Sequence, residues 1–480
     1  VLLRASLVCV FIRNCHSLLD MKQMKFPKGF LWGTATSGHQ IEGGNVSSDW
    51  WRWEQQGRMH GGAVSGQAVD YWNRYEEDHA LMESLGYPVF RIGIEWARIE
   101  PEPGKFDREA LAHYRDILQS LKNHGIKICL TLYHWVLPHW VAERGDWTNP
   151  ETLRHFERYA RYVINELITF PDLWVTVNEP MVAAIAGNLL AEHPPFRNTF
   201  RDYRQTAVSL LRVHAQCYAF IHDAARRAEL KKPPRVGIAN AYPVLVPWGS
   251  RGWKGFYEWS IARLGKYLAC HVWDNAVDTG HARLLNGFRQ IPGLRGSIDY
   301  CGINYYLRMS LRFDHSRRDR FFIDETGVPP GVRSTDTGWQ IYPSGLYKAI
   351  HDVWNRFKKP VIITENGIAD ISDEQRPAYI LEHLFCVYQA LQSGIPVEGY
   401  FYWSFIDNFE WRKGFGPRFG LIAVDHRDHN LVRYPRPSAH LYSQIIRENA
   451  ISEELIGTYA PELMGPFETI LKSGNRGRAD

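Results

Sequence analysis

Val361-Ile362-Ile363-Thr364-Glu365-Asn366-Gly367 is a run of β-branched apolar residues that ends in a carboxylate and is punctuated by Asn-Gly. Such a run reads as a buried strand that hands Glu365 to the loop beyond it. Leu173-Trp174-Val175-Thr176-Val177-Asn178-Glu179-Pro180 repeats the design. Two buried strands, each with a glutamate at its C-terminal tip, predict a pair of facing carboxylates. Taken singly, either glutamate is as readily the first solvated residue after a strand, so the other strands must decide.

Six more short apolar segments flank these two, giving strand candidates at residues 30–37, 89–96, 127–135, 173–179, 236–243, 300–306, 360–365 and 399–406. Helical patterns separate most of them, at 70–85, 108–124, 150–167, 206–228, 253–278, 343–357 and 376–392. Strands alternating with helices imply parallel βαβ units, and eight of them favour a closed α/β barrel, a single-domain (β/α)8 TIM barrel with long βα loops over its pocket. The barrel is expected over residues 24–450, with 1–23 an extension outside the natural fold and 451–480 a peripheral tail. Residues 307–342 are charged, irregular and too long for an idle connection, and are expected to form a lip over the pocket.

Composition narrows the partners. The formal charge of +4 on 480 residues is small and dispersed, which argues against a nucleic-acid partner. No apolar run reaches the ~20 residues that span a bilayer, so no membrane partner is expected. The seven cysteines are scattered without a Cys-x-x-Cys, which favours a reducing, cytoplasmic setting. No His-Glu-x-x-His occurs, and neither metal nor cofactor is expected. Aromatic residues make up 14% of the chain, which suits ring stacking on flat ligands such as sugars. Assembly as a homo-oligomer is left open.

Barrels of this kind build their active sites at the C-terminal strand ends. In order, those ends carry Gln40, Arg91 with Glu95, His134-Trp135, Asn178-Glu179, Asn240, Asn304 with Tyr306, Glu365 and Trp403, followed by Glu410-Trp411 and Phe419. Nearly every tip presents a hydrogen-bonding or stacking side chain, which lifts the catalytic reading of the two glutamates. A carboxyl pair of this kind suits glycoside hydrolysis: one group protonates the departing oxygen while the other attacks the anomeric carbon or activates water. Retention needs the carboxyls roughly 5–5.5 Å apart and inversion 6.5–9.5 Å, so the residues alone leave the stereochemistry open.

Thr176-Val177-Asn178-Glu179-Pro180, Thr364-Glu365-Asn366-Gly367, Phe30-Leu31-Trp32-Gly33, Gln40-Ile41-Glu42-Gly43, Tyr133-His134-Trp135 and Asn304-Tyr305-Tyr306 occur together and in order. With the stretch from Trp403 to Phe419, they make residues 26–449 resemble glycoside hydrolase family 1, the β-glucosidases and their relatives. The resemblance implies a retaining exo-β-glycosidase, chiefly a β-glucosidase acting on terminal β-glucosyl residues of small β-glycosides and short β-linked oligosaccharides. It implies Glu365 as nucleophile and Glu179 as acid/base, with Arg91 and Tyr306 supporting Glu365. Gln40, His134, Trp135, Asn178, Asn304, Trp403, Glu410, Trp411 and Phe419 are then sugar-binding residues, and Trp339 an outer-subsite platform.

Some positions depart from the commonest family pattern: Gly38-His39 precede Gln40, Val136 follows His134-Trp135, and Gly93 stands where Ser is frequent. They bear on the pocket rim and leave the carboxylates alone. Glu95 reads as structural. Glu410-Trp411 point away from sugars phosphorylated at O6, because a glutamate facing O4 and O6 repels phosphate. Two alternatives stay open: β-galactosidase or β-fucosidase as the main activity, and a non-catalytic sugar-binding relative, which the presence of both carboxylates disfavours.

Overall fold

Eight parallel strands close into a barrel in a computed structural model that describes residues 23–284 and 287–474. The strands are β1 (Leu31–Ala35), β2 (Val89–Gly93), β3 (Lys127–Thr131), β4 (Leu173–Asn178), β5 (Arg235–Ala241), β6 (Cys301–Asn304), β7 (Val361–Asn366) and β8 (Val397–Trp403). Each expected segment supplies one. Closure is made by β8 on β1, in register from Gly399 opposite Leu31 to Trp403 opposite Ala35. Every residue of β2, β4 and β7 is buried. That is why these strands are near-continuous apolar runs rather than alternating ones: helices cover one face and the barrel interior the other.

The surrounding helices are α1 (Tyr71–Leu85), α2 (Arg108–Asn123), α3 (Glu151–Leu167), α4 (Phe200–Arg227), α5 (Trp253–Lys266), α6 (Val272–Thr279), α7 (Ser344–Phe357), α8 (Arg376–Gln392) and α9 (Pro437–Glu448). In α2, Asp107 Oδ1 accepts from the backbone N–H groups of Glu109 and Ala110, both at 2.9 Å. Losing such a cap costs about 1 kcal/mol. Leu111, Tyr114, Ile117, Leu118 and Leu121 recur every three or four residues and are buried, so the stripe docks on the barrel. Gly125, at φ 69, then turns the chain into β3.

The structure differs from the sequence expectations in two places. The lip is partly ordered into strands: Arg308–Phe313 runs parallel to Val244–Pro247 and antiparallel to Ile323–Asp324. Beyond Asn449, Ala450–Ser452 pairs antiparallel with Gln23–Lys25. Ser452 then caps the helix Glu453–Tyr459, and Leu455, Ile456 and Phe467 are buried in the main core. This segment is thus packed into the body of the fold, held by apolar side chains spaced too sparsely to read as a core helix. The residues read as an N-terminal extension lie, apart from Gln23, outside the described ones. Cys129, Cys217, Cys270, Cys301 and Cys386 are all buried and unpaired, acting as small core residues.

Candidate active site

The end of β7 fixes Glu365 through its neighbours. A Cβ on Gly367 would sit 1.7 Å from the Trp403 carbonyl oxygen, so only glycine lets the chain leaving β7 pass so close to β8. Asn366 is the last strand residue and a clamp: its amide donates to the Tyr305 carbonyl at 2.6 Å and accepts from Tyr400 Oη at 2.7 Å. Glu365, between them, is 3% exposed.

Two donors face its carboxylate. Arg91 Nη1 lies 2.5 Å from Oε1, and Tyr306 Oη donates to Oε2 at 2.5 Å. Arg91 comes from β2 and is fully buried; its Nε donates to Thr131 Oγ1 at 3.1 Å and its Nη2 to Asn178 Oδ1 at 2.7 Å. A charge this deep is tolerated because it is paired and its fork is filled by acceptors.

The second carboxylate joins the same network. Asn304 Nδ2 donates to Glu179 Oε1 at 2.9 Å and to Asn178 Oδ1 at 3.1 Å. Arg91 makes Asn178 Oδ1 an acceptor, so Asn304 turns its Nδ2 to that side and its Oδ1 to Thr364 Oγ1, which donates at 2.7 Å. Asn304, Asn178 and Arg91 thus link Glu179 to Glu365 through one chain of hydrogen bonds. Glu179 occupies the left-handed region at φ 44, wedged between the end of β4 and Pro180 at the first position of a short helix. Backbone strain of this kind, about 1–3 kcal/mol, concentrates where geometry is functionally constrained. Burial first, and the charge of Glu365 second, push the Glu179 carboxyl up to about 8.

Around this pair stand the residues expected to hold a sugar. His134 Nε2 lies 2.9 Å from Asn178 Nδ2, and since an amide nitrogen only donates, Nε2 accepts and Nδ1 carries the hydrogen. That Nδ1 is buried without a partner among the described residues. Burial and Arg91 hold the ring's pKa well below the usual histidine range, so it stays neutral. Gln40 Nε2 donates to Asn408 Oδ1 and the Phe409 carbonyl, both at 2.9 Å, and reaches Glu410 Oε2 at 3.4 Å. Burial pushes Glu410 up to about 7, opposed by Lys413.

Aromatic rings form the walls. Trp403 and Trp411 lie 6.0 Å and 5.8 Å from the His134 ring, and Trp135 lies 5.0 Å from Trp411. Trp135 Nε1 donates to the Asn178 carbonyl at 3.1 Å. On the lip side, Trp339 and Phe419 each pack about 6 Å from Tyr306, at 6.0 and 6.1 Å. With the hydrogen bond between Glu410 and Trp403, these contacts join the two carboxylates and the expected sugar-binding residues into one cluster.

Asn240, buried in β5, makes none of these contacts, and Glu95 serves the scaffold. Its Oε1 accepts from the His39 backbone N–H at 3.0 Å, and its Oε2 from Asn45 at 3.0 Å. Several positioning residues were missed from sequence. Thr131, Thr364 and Asn408 orient Arg91, Asn304 and Gln40, and look like any polar residue near a strand end. His39 stacks on Trp411 at 5.9 Å and 8° and pairs with Glu54 at 2.8 Å; its place immediately before Gln40 was the signal available.

Comparison with known proteins agrees with this geometry. The β-galactosidase of Sulfolobus acidocaldarius is 32% identical over 90% of this chain and 97% of its own length. Among solved structures, a β-glycosidase from Pyrococcus horikoshii superposes with a TM-score of 0.82 at 37% identity, covering 91% of this chain and 98% of that one. A β-glucosidase from Thermotoga maritima in complex with glucoimidazole matches with a TM-score of 0.78 at 30% identity, over 89% of this chain and 100% of that one. Residues 22–451 match the family model of glycosyl hydrolase family 1, and the chain belongs to that family, an enzyme of β-glycosidase type.

Proposed function

We propose that the protein is a retaining exo-β-glycosidase that acts chiefly as a β-glucosidase on small β-glycosides and short β-linked oligosaccharides. One observation carries the mechanism. Glu365 accepts from Arg91 and Tyr306, the surroundings of a carboxylate, while Glu179 is pushed up to about 8 in the same cleft and so begins as an acid. A carboxyl whose surroundings hold its proton is suited to act as the acid.

In the first step Glu365 attacks the anomeric carbon and the glycosidic bond breaks, while Glu179 gives its proton to the departing oxygen. Glu365 is then an uncharged ester. Its charge no longer holds the Glu179 proton, so Glu179, now a carboxylate, can take a proton from the water that attacks the ester. That restores both groups. Asn178, held by Arg91 and Asn304, is poised for the 2-hydroxyl, whose contacts tighten in the transition state. Gln40, His134 and Glu410 bind the remaining hydroxyls, with Trp403 as stacking floor and Trp339 beside the leaving group.

The glucoimidazole-bound relative supports glucose as the sugar. The β-galactosidase relative favours a second reading, in which galactosides are cleaved as well or better. The two sugars differ only at C4, where Gln40 and Glu410 can bond either epimer. A kinetic panel of aryl β-glucoside, β-galactoside, β-fucoside and β-mannoside, with cellobiose, tests the proposal. The highest kcat/KM is expected for glucoside, and a clear galactoside preference would replace it with the second reading.

A further inference from the structure

Five of the large apolar side chains left exposed among the described residues lie together, away from the pocket. On α5, Trp253 is 64%, Phe256 70% and Trp259 46% exposed; on the lip, Phe321 is 43% and Phe322 37% exposed. The opposite face of α5 is accounted for, since Ala262, Tyr257 and Ile261 pack with Leu245, Met309 and Leu311 on the lip sheet. The outward face is continuous with the lip. Trp253 and Phe322 flank Phe313 at 4.8 Å and 6.2 Å, and Tyr257 Oη donates to the Phe321 carbonyl at 2.8 Å. A patch of several large aromatics from two elements exceeds the scattered apolar residues of an ordinary surface.

Its exposed charge is mostly positive, although Asp319, which pairs with Arg320 at 3.7 Å, is an exposed acid on the lip. Arg251, Lys254, Arg263 and Arg318 are exposed around the rings, and none has an acidic partner within 4.0 Å among the described residues. Lys254 Nζ lies 5.7 Å from the Phe313 ring centre and the Arg263 guanidinium 4.9 Å from that of Trp259, so the cations border the apolar surface directly. Aromatic rings with unpaired cations at their edge are what the boundary of an anionic bilayer accommodates, rings at headgroup depth and cations on phosphates.

We propose that the outward face of α5 and the lip around Phe321 and Phe322 dock the enzyme onto an anionic lipid surface. The expectation of no membrane partner rested on spanning. Among the described residues no helix is long and apolar enough to cross a bilayer, but lying on a surface requires no such helix. The strand Arg308–Phe313 links patch and pocket: from Tyr306 to Phe313 is about 23 Å at ~3.3 Å per residue. Docking therefore holds the pocket rim near the headgroups, within reach of β-glycosides whose aglycone is buried in lipid.

Two other occupants fit less well. A two-fold contact with a second copy would bring together two patches of the same mostly positive charge. A neutral glucan offers those cations no partner, and Phe256 and Trp259 stack on each other at 5.9 Å while Arg263 covers Trp259.

Co-sedimentation of the full chain with vesicles tests the proposal, comparing phosphatidylcholine alone with an equal mixture of phosphatidylcholine and phosphatidylglycerol. The native protein should pellet with the anionic vesicles and be released by salt. Lys254→Ser with Arg263→Ser should weaken that binding about 25-fold, at about fivefold per cation. Phe256→Ser with Trp259→Ser should abolish it, while both variants hydrolyse a soluble aryl β-glycoside at the native rate, which shows that they are folded. The proposal is overturned if native protein stays in the supernatant, or if both variants pellet as native protein does. It is equally overturned if a soluble β-glucan displaces the protein, or if the protein is a dimer that the aromatic substitutions split.

Discussion

The Glu179 carboxyl is pushed up to about 8 by burial and then by the charge of Glu365, so deleting that charge isolates the second cause. Glu365→Gln keeps the shape of the side chain and removes one negative charge. Two unit charges about 5 Å apart, the spacing a double displacement uses, repel by about 3 kcal/mol at an effective dielectric constant of about 20. At 1.36 kcal/mol per pH unit this is about 2 units, which takes Glu179 from about 8 to about 6. Burial keeps it above the ordinary carboxylate range. Arg91, freed of its partner, pulls in the same direction. The assay is a 13C NMR titration of carboxyl-labelled glutamate, with the Glu179 signal identified by its loss in Glu179→Gln. The same fall is expected in the native enzyme trapped as its glycosyl ester, where Glu365 is uncharged without substitution. A midpoint equal to that of the free native enzyme in both samples would refute the coupling, leaving Glu179 without a reason to change from acid to base between the two steps.

Glu179→Ala should nearly spare the first step for aryl glycosides with good leaving groups and slow those with poor ones by about 100-fold or more, read by pre-steady-state kinetics; equal losses for both classes would remove the acid role. Because Glu179 must start protonated, kcat/KM should fall as pH rises through about 8, measured with a substrate that needs acid assistance. Sugars phosphorylated at O6 should be poor substrates, and increasingly so between pH 6 and 8, because Glu410 gains its charge through about 7; equal kcat/KM values for phosphorylated and unphosphorylated glycosides would contradict this. Arg436 pairs with Asp407 through both oxygens at 2.9 and 3.1 Å in the buried turn just before Asn408 and Glu410. Asp407→Ala leaves that guanidinium unpaired and should cost about 3–5 kcal/mol in urea unfolding, and the displaced turn should also raise KM.

The barrel was legible because its strands are short apolar runs that end in polar residues, a pattern produced by burial on both faces and a single wet end. The two glutamate-tipped strands stood out only beside the other tips, because an apolar run ending in glutamate is alone as readily a strand whose next residue is solvated. What sequence left hidden depends on three-dimensional approach. Gly367 reads as turn punctuation, yet it is required by the carbonyl of Trp403, which lies on another strand. Thr131, Thr364 and Asn408 act through side-chain bonds between strands, which no local pattern records. The strand Arg308–Phe313 does alternate, with Met309, Leu311 and Phe313 against Arg308, Ser310 and Arg312, but the charged segment around it masked the period. The segment after Asn449 packs through a few apolar residues whose partners lie far away in sequence, Gln23–Lys25 among them.

The proposed double displacement requires Glu365 to be the nucleophile. Glu365→Ala should be inactive on an aryl β-glucoside, and added azide should restore turnover by entering from the face the carboxylate occupied. The product, identified by the anomeric proton coupling in its NMR spectrum, is predicted to be the α-glucosyl azide. A β-glucosyl azide from this variant, or rescue confined to Glu179→Ala, would contradict the assignment.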